Sequence, residues 1–301
     1  MPASSANLGS GFDALGLALG IHDDVLLRVA DEGLHVDVAG EGAGEVSRGI
    51  DHLVVRAAYA AFDRMGGRPH GLDVVCANRI PQGRGLGSSA AAIVAGVLAA
   101  RALVLAGNER LDDTEVLALA TEMEGHPDNV AAALSGGLNI AWTGPAGPRS
   151  VGLVLDERIR PLLVVPVQPL ATATARSLLP SSVPHVDAAH AVGRAALAIE
   201  ALTRRPDLLL AATEDRLHQG YRAPAMPAAA GLLARLRDLG FAAVVSGAGP
   251  SLLVLVTVDQ LDAVRRVLAT DPEVLAGRSM VREPVVDVAG AHLVPGVSNA
   301  A

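Results

Sequence analysis

The sequence predicts an α+β protein built in two halves, and three observations carry that reading. Its 301 residues are 50% hydrophobic and 19% charged, a balance that supports a buried core rather than a disordered chain. Short β-type runs alternate with stretches of helical period, punctuated by glycine and proline. The second half then reads strand, helices, two strands and a helix, the order of a ferredoxin-like unit with an antiparallel sheet. Aromatic residues make up only 2%, so Ala, Val and Leu must fill the core.

The first stretch, residues 3–20, is rich in small residues, and 25–29 and 34–38 follow as the strands of an antiparallel pair. Residues 53–65 carry helical periodicity and stop at Gly66-Gly67, a helix-end signal. Residues 72–77 read as a strand that holds the single cysteine, Cys76, as a core residue. An apolar helix is expected over 88–106, and another over 112–124 with Asp112 or Asp113 as its cap. Residues 143–148, Thr-Gly-Pro-Ala-Gly-Pro, read as a linker that divides the chain into domains 1–148 and 149–301. Beyond it the pattern predicts strands at 151–155 and 162–167 and helices at 188–202, 206–213 and 227–239. Strands at 241–245 and 252–256 and a helix at 259–269 complete it.

Charge and cysteine content narrow the function. All 24 basic residues are arginine, the net charge is −8, and the arginines are scattered, so a nucleic-acid surface is not expected. No apolar run approaches a membrane span, and no basic-then-apolar leader opens the chain. One cysteine allows no internal disulfide and fits a reducing cytoplasm, the expected location. The oligomeric state stays open, a homodimer included.

The strongest chemical signal is the run from Ile80 to Gly96. Gly83, Gly85 and Gly87 let the backbone approach a ligand closely, and Ser88 and Ser89 open an alanine-rich helix. A glycine turn feeding a helix N-terminus suits an anion, phosphate above all. With no lysine it is not a lysine-bearing P-loop, and the alternate glycines miss the dinucleotide spacing. The plain alternative is an ordinary helix start. A serine hydroxyl here can coordinate Mg²⁺ as well as cap the helix.

Three further clusters join it. In Glu124-Gly-His-Pro-Asp-Asn129, Pro127 breaks one helix and starts the next, gathering Glu124, His126, Asp128 and Asn129 at the turn. Glu124 is a carboxylate suited to Mg²⁺, although Asp128 and Asn129 also read as first-turn residues of a helix. In Ser4-Ser-Ala-Asn-Leu-Gly-Ser-Gly-Phe-Asp13, Asn7 and Asp13 either close a turn or face a polar substrate. Arg176 and Arg222 sit between turn formers and offer forks for a carboxylate or phosphate, against the default of surface arginines. Ser246-Gly-Ala-Gly-Pro-Ser251 reads as a tight hairpin or as a loop packed against the site.

The run PQGRGLGSSAA resembles the nucleotide loop of the GHMP kinases. Together with SSANLGSGFDALGLAL, EGHPDNVA, LHQGYRAP and SGAGPS it resembles the homoserine kinase family, over nearly the whole chain. The resemblance implies the GHMP kinase fold, an N-terminal α/β domain with a left-handed crossover and a ferredoxin-like C-terminal domain. It implies ATP phosphates along Pro81, Gln82, Gly83, Arg84, Gly85, Leu86, Gly87, Ser88, Ser89, Ala90 and Ala91, with Mg²⁺ at Ser89 and Glu124. Asn7, Asp13, His126, Arg176 and Arg222 would hold L-homoserine, Asn129 would stand beside the attacking hydroxyl, and Asp128 is a secondary candidate for a base. The family usually carries an apolar strand ahead of the first motif, and the chain starting at Met1-Pro2 is expected to lack that edge strand. Gly220 stands where the family often has proline. Kinases of other small alcohols, and a non-catalytic nucleotide sensor on the same fold, are the competing readings.

Overall fold

In the computed structural model, which describes residues 1–294, the first half runs β1 (Pro2–Ala6), β2 (Leu15–His22), β3 (Asp24–Ala30), β4 (Gly33–Gly40), α1 (Leu53–Met65), β5 (Gly71–Asn78), α2 (Ser88–Leu103), α3 (Gly107–Arg110), α4 (Asp113–Glu124), α5 (Pro127–Ser135), β6 (Leu138–Gly144) and β7 (Gly147–Leu153). The second half runs β8 (Ile159–Pro166), α6 (Thr172–Ser177), α7 (His185–Thr203), α8 (Leu209–Ala212), α9 (Gln219–Arg222), α10 (Pro227–Asp238), β9 (Ala242–Val245), β10 (Leu252–Thr257), α11 (Leu261–Ala269), α12 (Pro272–Leu275) and β11 (Ser279–Arg282).

The helix expected over 53–65 is α1, which buries Val54, Val55, Ala58, Ala61 and Phe62 along one face and ends on Gly66 in the left-handed region. Helix α4 begins with a reciprocal capping box, Asp112 accepting from the Glu115 amide while the Glu115 carboxylate accepts from the Asp112 amide. Pro127 occupies the first turn of α5 as predicted, because its missing N–H has no partner to lose there. The apolar helix after the glycine loop stops at Leu103, three residues before the expected end at 106.

Two expectations fail at the level of pairing. The strands at 25–29 and 34–38 are not partners: β5 lies between them, antiparallel to β3 and parallel to β4. Residues 143–148 are no linker. They close the hairpin of β6 and β7, Gly144 opposite Gly147, and the strand expected at 151–155 belongs to this first-half sheet. The turn composition of a tight hairpin and of a linker is the same, and only the partner strand distinguishes them. The boundary expected at 148 therefore cuts a strand pair, and the first sheet continues to Leu153.

The sheet order β1-β2-β6-β7 backs onto the order β11-β8-β10-β9, in which every pair is antiparallel, as the ferredoxin-like prediction requires. Leu17, Leu19 and Leu138 of the first sheet share one buried cluster with Leu163, Val244 and Leu253 of the second. A separate cluster fills the space between the β3-β5-β4 sheet and helices α1, α2 and α4, and a third lies under α10 and α11. Past β11 the chain returns to the first half, where the Gly20 amide donates to the Val285 carbonyl at 2.8 Å and the Gly137 amide to the Asp287 carbonyl at 2.6 Å. Both halves thus contribute walls to the cleft between them.

Candidate active site

The glycine loop is shaped by contacts from both halves. Gly85 and Gly87 have φ of 69° and 68°, the left-handed region that side chains resist. A Cβ on Gly85 would stand 2.1 Å from the Ser246 carbonyl oxygen, and one on Gly87 2.0 Å from Ser4 Oγ. The loop is pinned by the Ser4 amide donating to the Leu86 carbonyl (3.0 Å) and by Ser246 Oγ donating to the Gly85 carbonyl (2.7 Å). Leu86 is buried beneath it, and Arg84 ties it to the carbonyls of Gln82 and Val167. Gly87 is the residue that starts α2, with no side-chain cap, so the first amides of that helix are left for a ligand.

Beside the loop, Ser89 Oγ donates to Glu124 Oε2 at 2.6 Å. Burial pushes the Glu124 carboxyl above its ordinary pKa, with the Ser89 hydrogen bond and nearby His126 pulling the other way. A carboxylate and a hydroxyl held together at a phosphate-type loop are the hard oxygen donors that Mg²⁺ takes alongside phosphate and water, so the residues fit that ion. Among the described residues no group of three or more His, Cys, Asp or Glu side chains could hold a metal unaided.

The turn between α4 and α5 delivers its four polar residues as expected. His126 Nδ1 lies 2.7 Å from Asp128 Oδ1, and the Asn129 amide donates to the same oxygen at 2.7 Å. Burial lowers the His126 pKa, but the hydrogen bond and charge of Asp128, with Glu124, outweigh it and hold it above the ordinary value. Asn129 Oδ1 accepts from Ser4 Oγ at 2.9 Å, which fixes its amide at the mouth of the loop.

Opposite stands the first motif. Asn7 and Asp13 both have positive φ, 72° and 54°, and the Asp13 amide donates to Asn7 Oδ1 at 2.9 Å. Asn7 Nδ2 donates to the Gly247 carbonyl at 2.8 Å. The carboxylate of Asp13 receives both arms of Arg176, at 2.9 and 3.3 Å, so these two predicted ligands hold one another. Arg222 is not a surface arginine. It is buried, Nη1 donates to the Gly247 carbonyl at 3.0 Å, and its Nε is buried without a partner. Burial, then the charge of Arg176, lowers its pKa from the ordinary guanidinium value.

The groups of the site line one narrow cleft: Asn7, Asp13, Gly83 and Gly85 to Ser89 of the loop, Glu124, His126, Asp128, Asn129, Arg176 and Arg222. Pro81, Gln82, Ala90 and Ala91 flank the loop, Pro81, Ala90 and Ala91 being buried. A second cavity of about 320 Å³ opens on the other side of Gly83, Ser88 and Ser89, between α1 and the β3-β5-β4 sheet. Sequence reasoning missed it, because His52, Asn78 and Cys76 carry no motif. His52 Nδ1 is buried there without a partner, and burial pushes the Cys76 thiol up to about 11. Ser4, Phe12 and His218 were also missed as site residues, although each lies inside a quoted motif.

Known proteins resemble this chain in sequence and fold. The models of the GHMP kinase N-terminal domain and of the GHMP kinase C-terminal domain match residues 52–137 and 194–272. The homoserine kinase of Streptomyces coelicolor is 59% identical over 271 residues, 90% of this chain and 88% of the relative. The chain belongs to the homoserine kinase family of GHMP kinases. The Mycobacterium tuberculosis homoserine kinase is 48% identical, covering 96% of this chain and 94% of its own. In structure, the homoserine kinase of Cytophaga hutchinsonii matches with a TM-score of 0.81 at 25% identity, over 96% of this chain and 94% of its own. A putative homoserine kinase of Listeria monocytogenes gives 0.76 at 28% identity over 98% of each chain. The L. major mevalonate kinase, 18% identical with a TM-score of 0.67 over 96% of this chain and 95% of its own, shares the fold. The GHMP kinase resemblance and its two-part fold therefore stand.

Proposed function

We propose that this enzyme transfers the γ-phosphoryl group of ATP to the side-chain hydroxyl of L-homoserine, giving O-phospho-L-homoserine on the way to threonine. The single observation that carries the substrate assignment is the facing of Arg222, buried and with an unpartnered Nε, and Asp13 across one cleft that ends at the glycine loop. A small zwitterion with a distal hydroxyl matches that polarity. Its carboxylate takes Arg222 and Arg176, and its ammonium takes Asp13, replacing the pairing that Asp13 and Arg176 make with each other.

The phosphates lie against the amides of Gly83 to Ser89, and adenosine fills the cavity beside His52 and Asn78. Glu124 and Ser89 would hold Mg²⁺, which would supply charge neutralisation for the phosphates. The chain's own residues align the reactants: Asn129 and His126 hold the hydroxyl in line, and the α2 N-terminus takes up charge on the transferred group. The new O–P bond forms as the bond to ADP breaks. Asp128 already accepts from His126 and from the Asn129 amide through Oδ1, so its place here is to hold that turn in position. In this reading the hydroxyl proton leaves with the transferred phosphoryl group. A cytoplasmic setting is part of this reading, supported by the single free cysteine, which fits a reducing compartment.

A coupled ADP-release assay over homoserine, serine, threonine, mevalonate and galactose tests this. Homoserine should exceed the substrates without an ammonium by about 10⁴-fold in kcat/KM, because galactose satisfies neither Asp13 nor Arg222 and mevalonate, with a carboxylate but no ammonium, still leaves Asp13 without its ligand. Turnover greatest with mevalonate or galactose defeats the assignment, and no turnover with any of the five defeats the enzyme.

A further inference from the structure

Directly behind Arg222 stands His218, a side chain with no exposure at all. Its Nε2 lies 2.9 Å from the Gly9 carbonyl oxygen. A carbonyl only accepts, so Nε2 carries the hydrogen, and in a neutral imidazole Nδ1 is then a bare lone pair. That Nδ1 lies 3.2 Å from Arg222 Nη1 and accepts from it. A doubly protonated ring would instead aim an N–H at the guanidinium.

Independent contacts hold the plane of the ring and the turn that carries it. Phe12 stacks on it with centroids 4.9 Å apart and planes 20° apart, and the Arg222 Cζ lies 5.5 Å from the same Phe12 ring. The turn that carries His218 is fixed by Asp215, whose carboxylate accepts from the amides of Leu217, His218 and Gln219 at 2.8, 3.1 and 2.7 Å. Nη1 of Arg222 is thereby occupied by His218 and by the Gly247 carbonyl. Its Nη2 has no protein acceptor among the described residues and remains for a ligand.

We propose that His218 is a positioning residue for substrate: as a neutral, Nε2-protonated acceptor it holds the buried Arg222 guanidinium turned into the cleft, and so sets affinity for the substrate carboxylate. The inference rests on the reading of Arg222 as the carboxylate site. It extends that site from the residues that touch substrate to the one that aims them.

The test compares His218→Phe, which keeps the stacking on Phe12 and loses both the acceptor for Arg222 and the donor to Gly9, with His218→Asn, whose Oδ1 restores an acceptor for Arg222. His218→Phe should raise the homoserine KM about tenfold or more and leave the ATP KM within about twofold, and His218→Asn should recover most of the loss. An unchanged homoserine KM in His218→Phe, equal rises in both KM values, or no recovery in His218→Asn overturns the proposal. If His218→Phe fails to fold, NMR of the nitrogen-labelled wild-type protein at neutral pH decides. An Nε2-protonated ring with a bare Nδ1 supports the proposal, and an Nδ1-protonated or charged ring overturns it. Wild-type protein that does not phosphorylate homoserine overturns the reading of the site and this inference with it. That result is recognised before any variant is compared, whereas changes confined to the variants bear on His218 alone.

Discussion

Glu124 shows how one residue is held against its own preference. It ends α4, hydrogen-bonded to Ser89, in a site whose burial favours the neutral acid. An acid whose folded pKa is raised contributes stability below its unfolded pKa and loses that contribution as pH rises through the folded value. An ionised Glu124 is therefore a strain on the fold, and in the proposed function its charge serves the phosphates. Glu124→Gln keeps an acceptor for Ser89 and removes the charge. It should lower kcat by about 10²–10³-fold, yet raise Tm at neutral pH. The gain should vanish below the ordinary Glu pKa of 4.5, where wild type is protonated both folded and unfolded. Thermal scans from acid to neutral pH check the sign: a Tm below wild type at neutral pH would refute it.

At the scale of elements, the glycine loop is a joint between the halves rather than a self-contained cradle. Its Gly85 packs against the carbonyl of Ser246 in the strand connection of the second half. Gly85→Ala meets a left-handed backbone, about 1–2 kcal/mol against, and a fixed carbonyl at 2.1 Å. We expect a lower Tm together with an ATP KM raised at least tenfold, about 1.4 kcal/mol in binding; an ATP KM unchanged would show that the loop yields. The same scale separates what was legible in the sequence from what was not. Helix α1, the capped start of α4 and the Pro127 break are written in neighbouring residues, so local chemistry reveals them. The insertion of β5 between β3 and β4 is a choice of partner at long range, and no local pattern encodes it. The site divides the same way. The loop and the Glu124–Asn129 turn are visible as runs, but the Asp13–Arg176 pair joins residues 163 apart in sequence and His218 acts only through Arg222.

The molecule as a whole is tied across its cleft in three ways. The central cluster mixes side chains of both sheets, with Leu17 and Leu138 against Leu163 and Leu253. Polar links join the halves from Asn7 to the Gly247 carbonyl and from the Ser5 hydroxyl to Ser246 Oγ, the latter at 2.8 Å. The segment after β11 returns to the first sheet, where Asp287 accepts from the amides of Ala289 and Gly290 and contacts His22. Halves that share a core cannot expose it one at a time, so unfolding should be one cooperative transition although the chain is longer than most two-state domains. Two probes test this. Trp142, the single tryptophan, sits on β6 of the first half, while far-ultraviolet circular dichroism reports on both halves. Their melting curves should coincide, and ATP at about 100 times its Kd should move both together by about 2.7 kcal/mol of added stability. A tryptophan transition separated from the dichroism transition, or one that shifts alone with ATP, would mean that the halves unfold independently and that the shared core does not couple them.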